Sequence, residues 1–320
     1  MSDSVFSFRR LSRADKAAVM AISAKIWEGD DYLPSSFDDW VSDEGGAFNG
    51  CFVGERLVGF GRVGFVAPGH AWLEGLRKDP DAGVSGVGKA LCLEGLRFLS
   101  AAEGLRSIRF SAYAHNPETI ALNEAIGFRR LRTYTIKSKR LPGGADGKEP
   151  FGKPAAEAAR GTGAERRVSR AASAADRSAA LDSLRAGGWF DGFRLESWKA
   201  YPLEASPALR DGDAVFAASS PSGDAAGYLV GSLDPLKGQA NVVAFSADGP
   251  EAAAALFGAF EEAAVSEGYR YFESICPRRG ELLPTLDACG YVSWESEDDF
   301  LLYEWPPARL GSLPGGSAAG

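Results

Sequence analysis

Residues 77–91 read Arg77-Lys78-Asp79-Pro80-Asp81-Ala82-Gly83-Val84-Ser85-Gly86-Val87-Gly88-Lys89-Ala90-Leu91: the polar end of a strand, a glycine-rich turn and the opening of a helix. Glycines at 83, 86 and 88 let the backbone turn sharply and come close to a bulky anion. A helix starting near Ser85–Gly86 directs its unpaired N–H groups and the positive end of its dipole at that anion. Lys89, in the first helical turn, adds positive charge. The spacing is GxxGxG, neither the dinucleotide pattern GxGxxG nor a triphosphate loop ending in GKS/T. Taken alone, a glycine turn into a helix is equally a plain tight turn. The neighbouring elements decide.

Immediately upstream, HAWLEGLRK (70–78) reads as a strand. Simple alternation places Trp72, Glu74 and Leu76 on one face and Ala71, Leu73 and Gly75 on the other. A carboxylate inside the run AWLEGL is unusual enough to mark Glu74 as a candidate general base; a sheet-edge ion pair with Arg62 or Arg77 is the structural alternative. Before it, GCFVGERLVGFGRVGFV (50–66) reads as a hairpin turning near Glu55 and Arg56. Earlier still come a strand at 5–11, a helix at 15–27 and a short helix at SSFDDWV, with Ser35 or Ser36 as its cap. Downstream, a long helix leads to the strand SIRFSAYA, a helix from Pro117 to Ile126 and a last strand in LRTYTIKSK.

Residues 167–306 repeat this order: helix, hairpin (DAVFAASSPSGDAAGYLVGSL), the strand QANVVAFSA, a long helix, YRYFESICP, a short helix and DFLLYEWP. Even the ends of the fourth helices correspond, AIGFRRL (125–131) with ACGYVSW (288–294). The reading is an α/β (α+β) chain of two tandem domains of one fold, each with a mixed, mostly antiparallel sheet flanked by helices. The boundaries are 1–141 for the first domain, 142–166 for a flexible linker rich in Gly, Ala and Pro, 167–307 for the second and 308–320 for a disordered tail. Where the first half has its glycine turn, the second has Phe245-Ser246-Ala247-Asp248-Gly249-Pro250-Glu251. One glycine, two acids and a proline lacking an N–H make a poor anion cradle.

Bulk properties narrow the function. A formal net charge of −8 over 320 residues speaks against a nucleic-acid partner. No apolar run is long enough to span a membrane, and MSDSVFSFRR lacks a signal-peptide pattern. Four scattered cysteines and two histidines make a metal site improbable and fit a cytoplasmic protein with reduced thiols.

The strand ending Leu76-Arg77-Lys78-Asp79-Pro80, the GxxGxG turn at Gly83–Gly88, Asn116, and the helix end Ala125-Ile126-Gly127-Phe128 together resemble the GNAT superfamily of acetyl-CoA-dependent N-acetyltransferases over the whole first half. The resemblance implies two GNAT-like domains, the first catalytic and the second degenerate. It further implies that the backbone of Gly83, Val84, Ser85, Gly86, Val87 and Gly88, with Lys89, binds the CoA pyrophosphate. Leu76, Arg77 and Lys78 would pair with the pantetheine arm, and Asn116 would contact CoA. Two departures stand out. Gly83 and Val84 replace the usual Arg or Gln and Gly, and Asn123 occupies the slot where the family often carries a general-acid tyrosine. Asp31-Tyr32-Leu33-Pro34 with Trp40, Leu73-Glu74-Gly75-Leu76-Arg77, and Trp198…Tyr201 resemble, more narrowly, the vertebrate histidine N-acetyltransferase group. That implies acetylation of the α-amine of a free amino acid; a polyamine, aminoglycoside or peptide amine is the alternative acceptor, and a non-catalytic CoA-binding protein the alternative role. Substrate-site candidates are Trp27, Asp30, Asp31 and Tyr32 in the lid position, with Arg62, Trp72, Trp198 and Tyr201. A homodimer is compatible with the resemblance.

Overall fold

The computed structural model describes residues 6–29, 31–142, 167–171, 173–187, 190–205, 209–235, 237–278, 280 and 282–313. The chain divides into two compact units. The first comprises Met1–Ala112, Asn116–Leu131 and Tyr303–Gly320, the second Tyr113–His115 and Arg132–Leu302.

In the first unit the elements are β1 (Ser7–Arg10), α1 (Lys16–Ser23), α2 (Leu33–Ser42), β2 (Ala47–Val53), β3 (Arg56–Ala67), β4 (His70–Lys78), α3 (Val87–Ser100), β5 (Ser107–Tyr113) and α4 (Pro117–Ile126). Strands β1 to β4 pair antiparallel in sequence order, and β5 joins β4 in parallel. Two apolar layers cover the strands. Val19, Ile22, Leu33, Phe37 and Trp40 from α1 and α2 pack with Phe48, Phe52 and Phe60. Val87 and Leu91 of α3 pack with Cys51 and Val58. Burying these side chains is the main stabilising term for the unit. Helix α2 begins at Leu33, earlier than expected, and Tyr32 rather than Ser35 or Ser36 stands at its N-cap position. Pro34 is tolerated there because the first-turn N–H groups have no helical partner anyway.

The next strand, β6 (Arg129–Arg140), leads to β7 (Arg167–Arg170), α5 (Ala174–Gly187), the short hairpin β8 (Phe193–Glu196) and β9 (Lys199–Pro202), β10 (Ala214–Ser219), β11 (Ala225–Asp234), β12 (Gln239–Ala247), α6 (Pro250–Ser266), β13 (Tyr271–Pro277), α7 (Leu282–Ala288), β14 (Val292–Ser293) and β15 (Phe300–Trp305). In the second unit the order β7-β10-β11-β12-β13-β6 is antiparallel except for the parallel pair β12–β13.

Both units are helix-flanked mixed sheets. Strands β6 and β15 each contribute residues to both units, so the strands do not fall into two separate sheets at the expected boundary. The expected disordered tail is corrected in part: Pro307–Ser312 forms a 3-10 helix, and Arg309 lies 5.0 Å over the Trp305 ring and donates to the Gly127 carbonyl. Residues 143–166 of the expected linker and 314–320 of the tail lie outside the described residues. No helix among the described residues is long and apolar enough to cross a membrane, and no His, Cys, Asp and Glu group among them is arranged to hold a metal ion.

Candidate acyl-donor and amine site

Two irregularities in β4 create the site. Its parallel pairing with β5 runs from His70↔Ser107 to Trp72↔Arg109, so from Leu73 onward no strand among the described residues pairs with that edge. Its N–H and C=O groups there suit an extended ligand. The second irregularity is a bulge. Phe60 pairs with Arg77 and Arg62 with Glu74, so Gly75 and Leu76 stand opposite the single residue Gly61. Gly75 adopts φ +64°, the left-handed conformation that glycine takes at least cost.

The bulge overturns the expected alternation. Leu76, expected beside Glu74, instead packs with Val87 and Leu91 under α3, and Leu73 also reaches that side, at Gly95. Glu74 and Arg77 are thereby turned together toward α2, where a Cβ on Gly75 would come within 2.4 Å of the Trp40 ring. Trp72, expected to line the pocket, precedes the divergence and is buried in the core.

On the face it shares with Arg77, Glu74 accepts a hydrogen bond from Arg62, which also donates to Asp43 and lies 5.3 Å over the Trp40 ring. The ion-pair alternative for Glu74 is thus present. The carboxylate is held at the residue preceding the bulge, where β4 leaves β5. Arg77 makes a two-pronged pair with Asp31 at 2.9 and 3.2 Å. Ser23 also donates to Asp31 at 2.9 Å, and the Asp31 side chain is 0% exposed. Asp31 is therefore bound to Arg77 inside the protein rather than set out to attract an amine. The Arg77 guanidinium sits 4.5 Å over the ring of Trp27 and 5.4 Å over that of Tyr32. These two rings remain 57% and 45% exposed, as walls of an acceptor pocket would be. Trp27 and Glu28 both have positive φ, at 45° and 58°, strain of the kind that persists where surrounding contacts enforce it. Asp30 lies outside the described residues.

The glycine turn, Asp79–Gly86, follows β4. Gly83 and Gly86 have φ +68° and +82°, and Gly86 is the N-cap of α3 without a side-chain cap. The first helical bond runs from Ala90 N–H to the Gly86 carbonyl, so the N–H groups just before Ala90 have no helical acceptor and face the helix opening. Gly83, Ser85, Gly86 and Lys89 are exposed above the turn. Val87 is buried below it, with Ala82 and Val84 packed on the same cluster. Val84 therefore anchors the turn where the family more often has glycine. A side chain on Gly88 would meet Leu122 at 3.0 Å, so close helix packing also requires that glycine. Lys78 is exposed at the strand end. At the head of α4, Asn116 accepts from Thr119 N–H at 3.1 Å, which employs its carbonyl oxygen as a helix cap. Asn123 is buried, donates to the Thr119 carbonyl and lies 3.8 Å from Cys92 Sγ, so it does not face a leaving thiolate.

Sequence reading missed the bracing of this turn. Asp79 is buried and accepts hydrogen bonds from Lys25 and Arg56, each at 2.8 Å, and from Asp81 N–H. Desolvation acts to raise its pKa, but these bonds prevail and lower it to about 2. Asp43, which completes the surroundings of Glu74, was also missed, because it follows α2 and its partner Arg62 lies 19 residues on, in β3. The Asp79-Pro80 turn was the one signal in the sequence for the first.

In the second unit, only Asp248 and Gly249 separate β12 from α6, and Pro250 opens the helix. The glycine turn has no counterpart there. Trp198 sits in the β8–β9 turn with φ 63°, stacked 5.5 Å from Phe300 and tilted 6.0 Å from Trp294. Tyr201 lies under the Arg210 guanidinium at 4.9 Å. These residues are packed within the second unit.

Comparisons with known proteins agree with this geometry. Residues 16–128 match the acetyltransferase (GNAT) family. Among solved structures, a GCN5-related N-acetyltransferase from Sphaerobacter thermophilus is similar over 99% of this chain and 98% of its own, at 15% identity and a TM-score of 0.64. A tandem GNAT protein from the clavulanic acid biosynthesis pathway is similar over 95% and 99%, at 17% identity and a TM-score of 0.56. A putative acetyltransferase from Thermoplasma acidophilum is similar over 93% and 99%, at 15% identity and a TM-score of 0.52. No curated protein matches the chain by sequence. Residues 16–128 thus carry the acetyltransferase (GNAT) pattern on a GNAT fold, the arrangement of an acyltransferase that takes acetyl-CoA as its donor.

Proposed function

We propose that the first unit transfers the acetyl group of acetyl-CoA to the primary amine of a small molecule, with Glu74 as the base. The observation that carries this reading is the position of Glu74, next to the bulge at which β4 parts from β5. The open edge of β4 from Leu73 to Lys78 suits the pantetheine arm, and the Gly83–Gly88 backbone with Lys89 suits the pyrophosphate. Lys78, Arg77 and Leu76 contribute through their backbone, because the Arg77 side chain is committed to Asp31 and that of Leu76 to the core.

An ammonium has no lone pair to offer, so its proton passes to Glu74, directly or through a water. The freed nitrogen attacks the thioester carbonyl carbon. The new N–C bond forms, the C–S bond breaks and CoA leaves as the thiolate, while the second proton of the nitrogen is lost to water and from there reaches the sulfur. The thiolate's proton does not come from Asn123, whose amide is held by the helix backbone. Arg62 orients Glu74 through the hydrogen bond it donates to the carboxylate. The second unit takes no acyl donor in this scheme, since a two-residue turn bearing Asp248 offers an anion no cradle. None of the comparisons carries the histidine-like expectation for the acceptor.

Glu74→Gln tests the assignment. Arg62 retains Asp43, so the variant stays folded, and turnover falls by about 10²–10⁴-fold with CoA affinity unchanged. Turnover equal to that of the parent protein would refute Glu74 as base.

A further inference from the structure

The bulge that brings Glu74 and Arg77 to one face also builds a row of alternating rings and cations. Trp27, Arg77, Tyr32, Trp40 and Arg62 follow one another at 4.5, 5.4, 6.1 and 5.3 Å. Each arginine in the row is already matched by carboxylate, Arg77 by Asp31 and Arg62 by Glu74 and Asp43. Two cations against three carboxylates leave this face with one net negative charge. From this row we infer that the acceptor is a primary amine on an aromatic or apolar body with no carboxylate beside the amine. The inference rests on the acetyl-transfer reading above.

Acceptor and protein carboxylates compete for the same cations. An α-amino acid brings a carboxylate that needs a cation near Glu74. Arg77 can supply one only by releasing Asp31, whose side chain is 0% exposed and would be stranded as a buried, unpaired charge. Arg62 can supply one only by loosening the base it orients. At the glycine turn, Lys25 and Arg56 are held by Asp79, and Lys89 stands in the first turn of α3, where the acetyl-transfer reading gives it to the pyrophosphate. An ammonium without a carboxylate asks for none of these exchanges and balances the net charge of the row. The exposed faces of Trp27 and Tyr32 then offer it cation–π attraction and apolar contact. The Trp27 ring lies over the Arg77 guanidinium at 4.5 Å.

The test uses the full-length protein, saturating acetyl-CoA and acceptors matched except for one carboxylate: tyramine with tyrosine, phenethylamine with phenylalanine, histamine with histidine, plus spermidine as a non-aromatic amine. Thiol release gives kcat/KM for each. The expected result is at least a tenfold preference for the carboxylate-free member of every pair, with the aromatic amines ahead of spermidine. Trp27→Ala, at an exposed position, is expected to raise KM for tyramine at least fivefold with kcat retained. Equal or better use of the amino acids overturns the inference while leaving the acetyl-transfer reading intact. Preference for spermidine, or an unchanged KM in Trp27→Ala, overturns the aromatic part of it. CoA release with no amine in the panel brings down both readings.

Discussion

Replacing Gly75 by alanine perturbs the feature on which the site depends. The glycine holds φ +64°, where an L-residue loses roughly 1–2 kcal/mol. Its new methyl would sit 2.4 and 2.5 Å from two atoms of the Trp40 ring, forcing that ring aside at a cost of about 1–3 kcal/mol. Together these predict a loss of about 2–5 kcal/mol, read as a lower midpoint in urea unfolding. Gly54→Ala is the control. Gly54 has φ +60° with nothing within 4 Å of the added carbon, so it suffers only the backbone term, and the difference between the variants isolates the Trp40 contact. Trp40 supports Arg62, and Arg62 holds Glu74. Below its melting transition, Gly75→Ala is therefore expected to lose at least tenfold in kcat/KM, while Gly54→Ala keeps parent activity. Equal stability in the two variants, or full activity in Gly75→Ala, would refute the claim that the bulge and its Trp40 contact position the base.

Other consequences follow from the glycine turn. Asp79→Asn weakens the bonds from Lys25 and Arg56 and is expected to raise KM for acetyl-CoA about tenfold, the scale of one charge-assisted hydrogen bond; steady-state kinetics checks this. Because the Asp79 pKa is lowered to about 2 on folding, its stabilising contribution is complete above the ordinary carboxylate range and is lost as pH falls from about 4 toward 2. The acid limb of a stability profile is therefore expected to be shallower in Asp79→Asn. Gly86→Ala, at φ +82° with only Phe6 near at 4.0 Å, is expected to weaken calorimetric CoA binding about tenfold through backbone strain alone, without altering the acceptor preference.

Much of this was legible in the sequence, for identifiable reasons. His70–Lys78 and Pro117–Ile126 were read with the bounds they have, since Pro68-Gly69, Asp79-Pro80, Asn116-Pro117 and Gly127 punctuate them. The short turn into α6 was equally plain from Asp248, Gly249 and Pro250. The bulge was missed because Gly75 fits an alternating strand as a small residue, although an isolated glycine within a strand is itself a bulge signal. That omission placed Leu76 on the wrong face. Asp31 was read as open to substrate because its partner, Arg77, is 46 residues away and no local pattern announces the pair. The left-handed turn at Ser197–Trp198 carries no glycine, so nothing in the sequence marked the β8–β9 hairpin.

The central claim is that the first unit alone holds the acyl donor, along the open edge of β4. A crystal structure of the full-length protein soaked with CoA tests it most directly. The account predicts pyrophosphate density at Gly83–Gly88 and the pantetheine arm beside Leu73–Lys78, its thiol end toward Glu74. Density for CoA at Asp248–Glu251 of the second unit, or none along β4 at saturating CoA, would contradict it.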